Sequence, residues 1–213
     1  QAIPNFKKSI ILDKNNPFYY NNLGTAFLQL NKLDEAEYNL IKAIELKSNF
    51  FLAYNNLGLI YKKIKNFDKS LEYFNKCKEI NANFPDVYHN LGETYQEMGN
   101  LDFAISNYES CIEKNPYSLE TINSLAHLFK IKGMYEKSIK LYENSITINS
   151  SNSEVYNNLG NLKIIKKEFN QASEYFKKSY ELNSKNSLAV SSYFFCKKSL
   201  CDWKEKDKFF KIK

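Results

Sequence analysis

The chain has 213 residues, is 43% hydrophobic and 15% aromatic, and carries a formal net charge of +6. Only six glycines and four prolines argue against a loop-rich or disordered chain, and the apolar content suffices for a substantial continuous core. All 30 basic residues are lysine, interleaved with acids, which weighs against nucleic-acid recognition through arginine forks.

The four cysteines, Cys77, Cys111, Cys196 and Cys201, form no C-x-x-C and no metal or disulfide spacing. They read as free thiols in a reducing compartment, so a cytoplasmic or nuclear location is expected. No apolar run is long enough to span a bilayer, and no signal-peptide pattern opens the chain. The first residue, Gln1, already lies inside the periodic pattern described next, so a piece of a longer protein is expected.

Residues 1–16 fit the second helix of a truncated unit, with Ala2, Phe6 and Ser9 on its packing face. Five units of 34 residues follow: 17–50, 51–84, 85–118, 119–152 and 153–186, here called repeats 1 to 5. Their common signature is Y-N-N-L-G at Tyr20–Gly24, Tyr54–Gly58 and Tyr156–Gly160, Y-H-N-L-G at Tyr88–Gly92, and I-N-S-L-A at Ile122–Ala126. A period held without slippage predicts stacked copies of one supersecondary unit.

Position 8 of the unit is small each time: Gly24, Gly58, Gly92, Ala126 and Gly160. Position 20 is Ala or Ser, and position 24 is Leu40, Phe74, Tyr108, Tyr142 and Phe176. Apolar residues at positions 4, 7 and 11 recur at helical spacing, and short turns such as Lys65–Asn66 and Gly99–Asn100 separate them from a second apolar stripe. Each unit is thus predicted to be two antiparallel helices that approach closely where the small residues lie. Asp34, Asp68 and Asp102 suit the positive end of the second helix. Lys163 breaks the aromatic pattern at position 11, so local loosening or a snorkelling side chain is expected there. Residues 187–213 begin as a further first helix and end in Cys201-Asp202-Trp203 and a lysine-rich amphipathic tail.

No catalytic constellation emerges. His89 and His127 occupy different repeat positions without partners at metal-ligand spacing, and no glycine-rich phosphate loop occurs. No cofactor and no metal site is expected, and the fragment itself reads as no enzyme. One polar row stands out: position 6 is Asn22, Asn56, Asn90, Ser124 and Asn158, and position 5 is Asn21, Asn55, His89, Asn123 and Asn157. An amide both donates and accepts, so such a row suits the backbone of an extended peptide; bridging between neighbouring units is the structural alternative. Variable residues beside the row include Glu93, Glu97, Lys62, Lys63 and Lys130.

These residues resemble the tetratricopeptide repeat family, with Tyr in place of Trp at position 4. The resemblance implies an all-α solenoid of antiparallel helix pairs forming a right-handed superhelix, with positions 2, 5, 6, 9, 12 and 13 on its concave face. The amide row and the Cys201-Asp202-Trp203 junction further resemble O-linked N-acetylglucosamine transferases and their SPINDLY-type relatives. That resemblance implies a parent enzyme transferring a sugar to Ser or Thr, for which this chain would select protein substrates or adaptors. A stand-alone repeat scaffold, co-chaperone-like, is the other expectation. Extended protein segments are the expected partners in both, with no nucleic acid or membrane, and with dimerisation through the convex face allowed by the resemblance.

Overall fold

The computed structural model describes residues 2–200, which divide into two compact units at the boundary between Pro116 and Tyr117. In the first, α1 (Ala2–Leu12) precedes three helix pairs: α2 (Pro17–Gln29) with α3 (Leu33–Leu46), α4 (Phe51–Lys63) with α5 (Phe67–Ile80), and α6 (Pro85–Glu97) with α7 (Leu101–Lys114). The second holds α8 (Leu119–Ile131) with α9 (Tyr135–Ile148), α10 (Ser153–Ile165) with α11 (Phe169–Leu182), and then α12 (Ser187–Ser199). Every described element is α-helical, and within each unit successive antiparallel pairs stack as a helical solenoid. No described helix is long and apolar enough to cross a membrane.

The pairing follows from side-chain size at two positions. A Cβ added to Gly58 would come within 2.4 Å of the Phe74 ring, and one added to Gly92 within 2.5 Å of Tyr108. At Gly24 and Gly160 the clash would be with Leu40 and Phe176, each at 2.7 Å. The large residue at position 24 therefore lies flat on the helix it faces, and Phe74, Phe176 and Leu40 are fully buried. Burial of each such side chain contributes about 1.5–3 kcal/mol against exposure, so these contacts dominate the closure of a pair. Where position 20 is serine the closure gains a hydrogen bond: Ser70 Oγ donates to the Gly58 carbonyl at 2.9 Å, and Ser138 Oγ to the Ala126 carbonyl at 2.7 Å.

The chain between the two helices of a pair turns through one left-handed residue. Gly99 and Gly133 take it at φ +80° and +71°, where glycine has no steric penalty, but Asn31, Lys65 and Lys167 take it at φ of about +60°. Asp34, Asp68 and Asp102 lie in the first turn of α3, α5 and α7, as the dipole argument expects. Several loop asparagines are helix caps: Asn16 accepts from the Phe18 amide and Asn152 from that of Glu154, both at 3.0 Å, and Asn186 from that of Ala189 at 3.1 Å. Lys163 does snorkel. It is 8% exposed, its stem takes the place of the missing ring, and its Nζ reaches Glu168 at 2.8 Å.

Packing continues from pair to pair through positions 3, 7 and 10. In the first unit Ala53, Leu57 and Ile60 of α4 join Ala36, Leu40 and Ala43 of α3 in one cluster. In the second, Val155, Leu159 and Leu162 of α10 pack with Ile139 and Tyr142 of α9. The final helix uses Ala189, Tyr193 and Cys196 against Ala172 and Phe176, and α12 lies along α11 as closely as the two helices of a repeat lie along each other.

Candidate functional site: the first-helix face

The amide row lies on the first helices, at the two positions preceding the buried leucine of each. In the first unit the amides bond across the repeat boundary in one direction. Asn56 Nδ2 donates to Asn21 Oδ1 at 3.1 Å and approaches Thr25 Oγ1 at 3.0 Å, and Asn90 Nδ2 donates to Asn55 Oδ1 at 2.9 Å. Position 6 of one repeat thus donates to position 5 of the repeat before it. These contacts lie out of solvent: the acceptors Asn21 and Asn55 are 6% and 7% exposed, and the donor Asn90 8%. Asn22 has no repeat of this frame before it; it is exposed, and its Oδ1 receives only a long 3.5 Å bond from Asn21.

The second unit carries the same residue types in another arrangement. Asn158 Oδ1 accepts from Lys130 Nζ at 2.9 Å. Asn123 Oδ1, the acceptor expected for Asn158, is buried without a hydrogen-bond partner. Asn157 is half-buried, and Ser124, also half-buried, supplies no amide.

Ion pairs flank the row. Lys62 of repeat 2 pairs with Glu93 of repeat 3, and His89 Nε2 stands 3.5 Å from the same carboxylate. The His89 hydrogen bond and the Lys62 ammonium together hold the Glu93 carboxyl down to about 2, against a weaker opposing effect of burial. His89 also lies 5.6 Å, centroid to centroid, from the Tyr108 ring, so it is packed as well as paired. His127 is exposed, and partial burial and the nearby Lys130 charge hold its pKa below the usual histidine range. Cys77, Cys111 and Cys196 are buried free thiols, and burial pushes Cys77 up to about 12 and Cys196 to about 11, far from thiolate chemistry at neutral pH.

A recess opens between the first helices of repeats 1 and 2 at their C-terminal ends. It encloses about 460 Å³ and is lined by Leu28, Gln29, Leu59, Lys62, Lys63, Lys65 and Glu97. Leu28 and Leu59 are half-buried and form its apolar floor, whereas Gln29, Lys63, Lys65 and Glu97 are exposed at its rim. The amide pattern in the sequence pointed to the face but not to this recess, whose only sequence signal is an unusual leucine at position 9 of repeat 2. Cys201, Asp202 and Trp203 lie outside the described residues.

Sequence models of the tetratricopeptide repeat match residues 5–38, 24–65, 50–114, 119–152 and 153–186. No curated protein sequence matches the chain. Among solved structures, PilF of Pseudomonas aeruginosa superposes with a TM-score of 0.78 at 17% identity, covering 92% of this chain and 88% of that one. YrrB, described as a TPR protein with an unusual peptide-binding site, gives 0.70 at 20% identity, covering 88% and 96%. MamA gives 0.68 at 22% identity, covering 80% and 93%. At these identities the likeness is one of fold.

Proposed function

The chain belongs to the tetratricopeptide repeat family, and from that premise we propose that its first-helix face holds an extended polypeptide and makes the protein an interaction scaffold. The observation that carries this reading is a face of amides whose hydrogen-bonding capacity is only partly used. Each amide offers two N–H groups and two lone pairs, and the bonds between repeats consume one or two of these. In the first unit Asn22 and Asn56 remain open enough to serve a peptide backbone, and the same unit holds an apolar recess that can take a side chain. The structural likeness to YrrB, itself a peptide binder, is consistent with this use of the fold.

The test is a selection of random dodecapeptides displayed on phage, followed by an NMR footprint of the enriched peptides on the isotope-labelled chain. Within the first unit, shifts confined to α2, α4 and α6 are expected, with affinity reduced by Asn22→Ala. Footprints on the second helices, or no enriched peptide at all, would overturn the reading. Asn22 is chosen because Asn56 and Asn90 also hold neighbouring repeats together.

A narrower reading makes the chain the substrate-selecting arm of a protein O-glycosyltransferase. It rests on Cys201-Asp202-Trp203 in register after the last repeat helix and on the amide row. None of the matches above is to a glycosyltransferase, so the scaffold reading stands first. Incubating the full-length gene product with labelled UDP-N-acetylglucosamine and with GDP-fucose separates the two. Transfer to proteins that is lost on deleting residues 17–186, but kept toward short peptides, supports the arm; no transfer from either donor removes it.

A further inference from the structure

The recess between repeats 1 and 2 is built where these repeats depart from their neighbours. Position 9 is Thr25, Glu93, His127 and Asn161 in the other full repeats, but Leu59 in repeat 2. Position 13 is Gln29 in repeat 1 and Glu97 in repeat 3, but Lys63 in repeat 2. Position 15 has a left-handed backbone that favours Gly or Asn, as in the adjoining repeats at Asn31 and Gly99, yet repeat 2 places Lys65 there at φ +60°, as repeat 5 places Lys167. Nothing in closing a helix pair asks for these three residues, since repeats 1 and 3 close without them.

Charge bookkeeping singles out two of the cations. Lys62 is already committed to Glu93, so its stem serves as a wall of the recess. Among the described residues Lys63 and Lys65 have no acidic partner, and they stand exposed beside the apolar floor of Leu28 and Leu59. A cation pair next to half-buried leucines suits a ligand that brings an apolar side chain and a carboxylate together. Glu97 lines the same recess and disfavours a second acid on its side, which gives the site a direction.

We propose that this recess is a specificity pocket for an acidic partner segment, seating an apolar side chain on Leu28 and Leu59 while an adjacent Asp or Glu meets Lys63 and Lys65. The proposal rests on the peptide-holding reading of the same face and names what that face selects. The sequences enriched in the phage selection should contain a large aliphatic or aromatic residue next to Asp or Glu. Their affinity should fall about tenfold for Lys63→Glu combined with Lys65→Asn, a pair that keeps a residue tolerant of the left-handed turn. Leu59→Ser should weaken the same peptides, and raising salt from 50 to 500 mM should reduce binding to the parent more than to the lysine variant. Circular dichroism and thermal melts keep a folding defect apart from a binding defect. Enriched peptides without the acidic residue, or peptides indifferent to the lysine variant, would overturn the pocket while leaving the peptide-holding face standing. No enrichment on the parent chain would overturn both.

Discussion

The first-helix faces of the two compact units carry nearly the same residues and use them differently. In residues 1–116 the amides at positions 5 and 6 close on one another across each repeat boundary. In residues 117–213 Asn158 is turned to Lys130, and the Asn123 carbonyl is left buried and unpaired. The lysines that flank the row differ as well, and so does position 9 of the following repeat. Lys62, at position 12 of repeat 2, finds Glu93 there and leaves the amides alone. Lys130, at position 12 of repeat 4, finds Asn161 instead, and it takes the carbonyl oxygen of Asn158. An acid at position 9 thus goes with a lysine that leaves the amides alone, and an amide there with a lysine that does not.

Substitutions can separate what the two units share from what they do not. The shared feature is the closure of each pair, so Gly58→Ala and Gly160→Ala should cost about 3 kcal/mol each, measured by urea unfolding. Each added Cβ meets a fully buried ring that has nowhere to move. A much smaller cost in either would mean that the facing helix can slide. Next comes the amide contact itself: Asn56→Ala should cost about 1.5 kcal/mol and Asn158→Ala about 0.5 kcal/mol, because only the first strands a buried acceptor. Equal costs would erase the distinction drawn here.

Glu93→Gln probes the acid directly. The folded carboxyl is depressed to about 2, so its contribution is present above its unfolded value near 4.5 and is lost as pH falls through 2. The variant should lose about 1 kcal/mol at pH 6 and only a small part of that at pH 2, the figure being reduced because the side chain is a third exposed. A loss independent of pH would assign Glu93 a packing role instead. Asn161→Glu runs the experiment in reverse, drawing Lys130 away and freeing Asn158 to donate to Asn123. A gain of about 0.7 kcal/mol is expected, with the Asn158 side-chain amide protons shifted in the NMR spectrum. Smallest of all, Lys65→Gly and Lys167→Gly should each stabilise by about 0.5 kcal/mol by relieving the left-handed turn.

The helix pairs were legible in the sequence because glycine and a large residue recur at positions 8 and 24, and sterics leave them a single arrangement. Lys163 was legible too, since a long stem with a charged tip has one economical way to fill an aromatic slot. The amide row was legible as a row but not in its use: an amide side chain suits a peptide and a neighbouring amide equally, and only the distance from Asn56 to Asn21 shows which it has found. The recess was less visible still. It draws on residues from three repeats at four positions, 9, 12, 13 and 15, and turns on the side chains by which repeat 2 differs from its neighbours.

The amide contact has a consequence for how such a chain can grow. Its donor always sits on the later repeat and its acceptor on the earlier one, and repeat 2 carries both, Asn56 and Asn55. A second copy of residues 51–84 inserted after Phe84 would offer its own Asn56 amide to the original Asn55 and its own Asn55 carbonyl to Asn90. Tandem duplication of that segment therefore repeats the amide contact at the new junction, while the original Lys62 meets Leu59 of the copy in place of Glu93. The same step in the second unit, starting from a junction that holds an unpaired carbonyl, would copy the defect along with the helices.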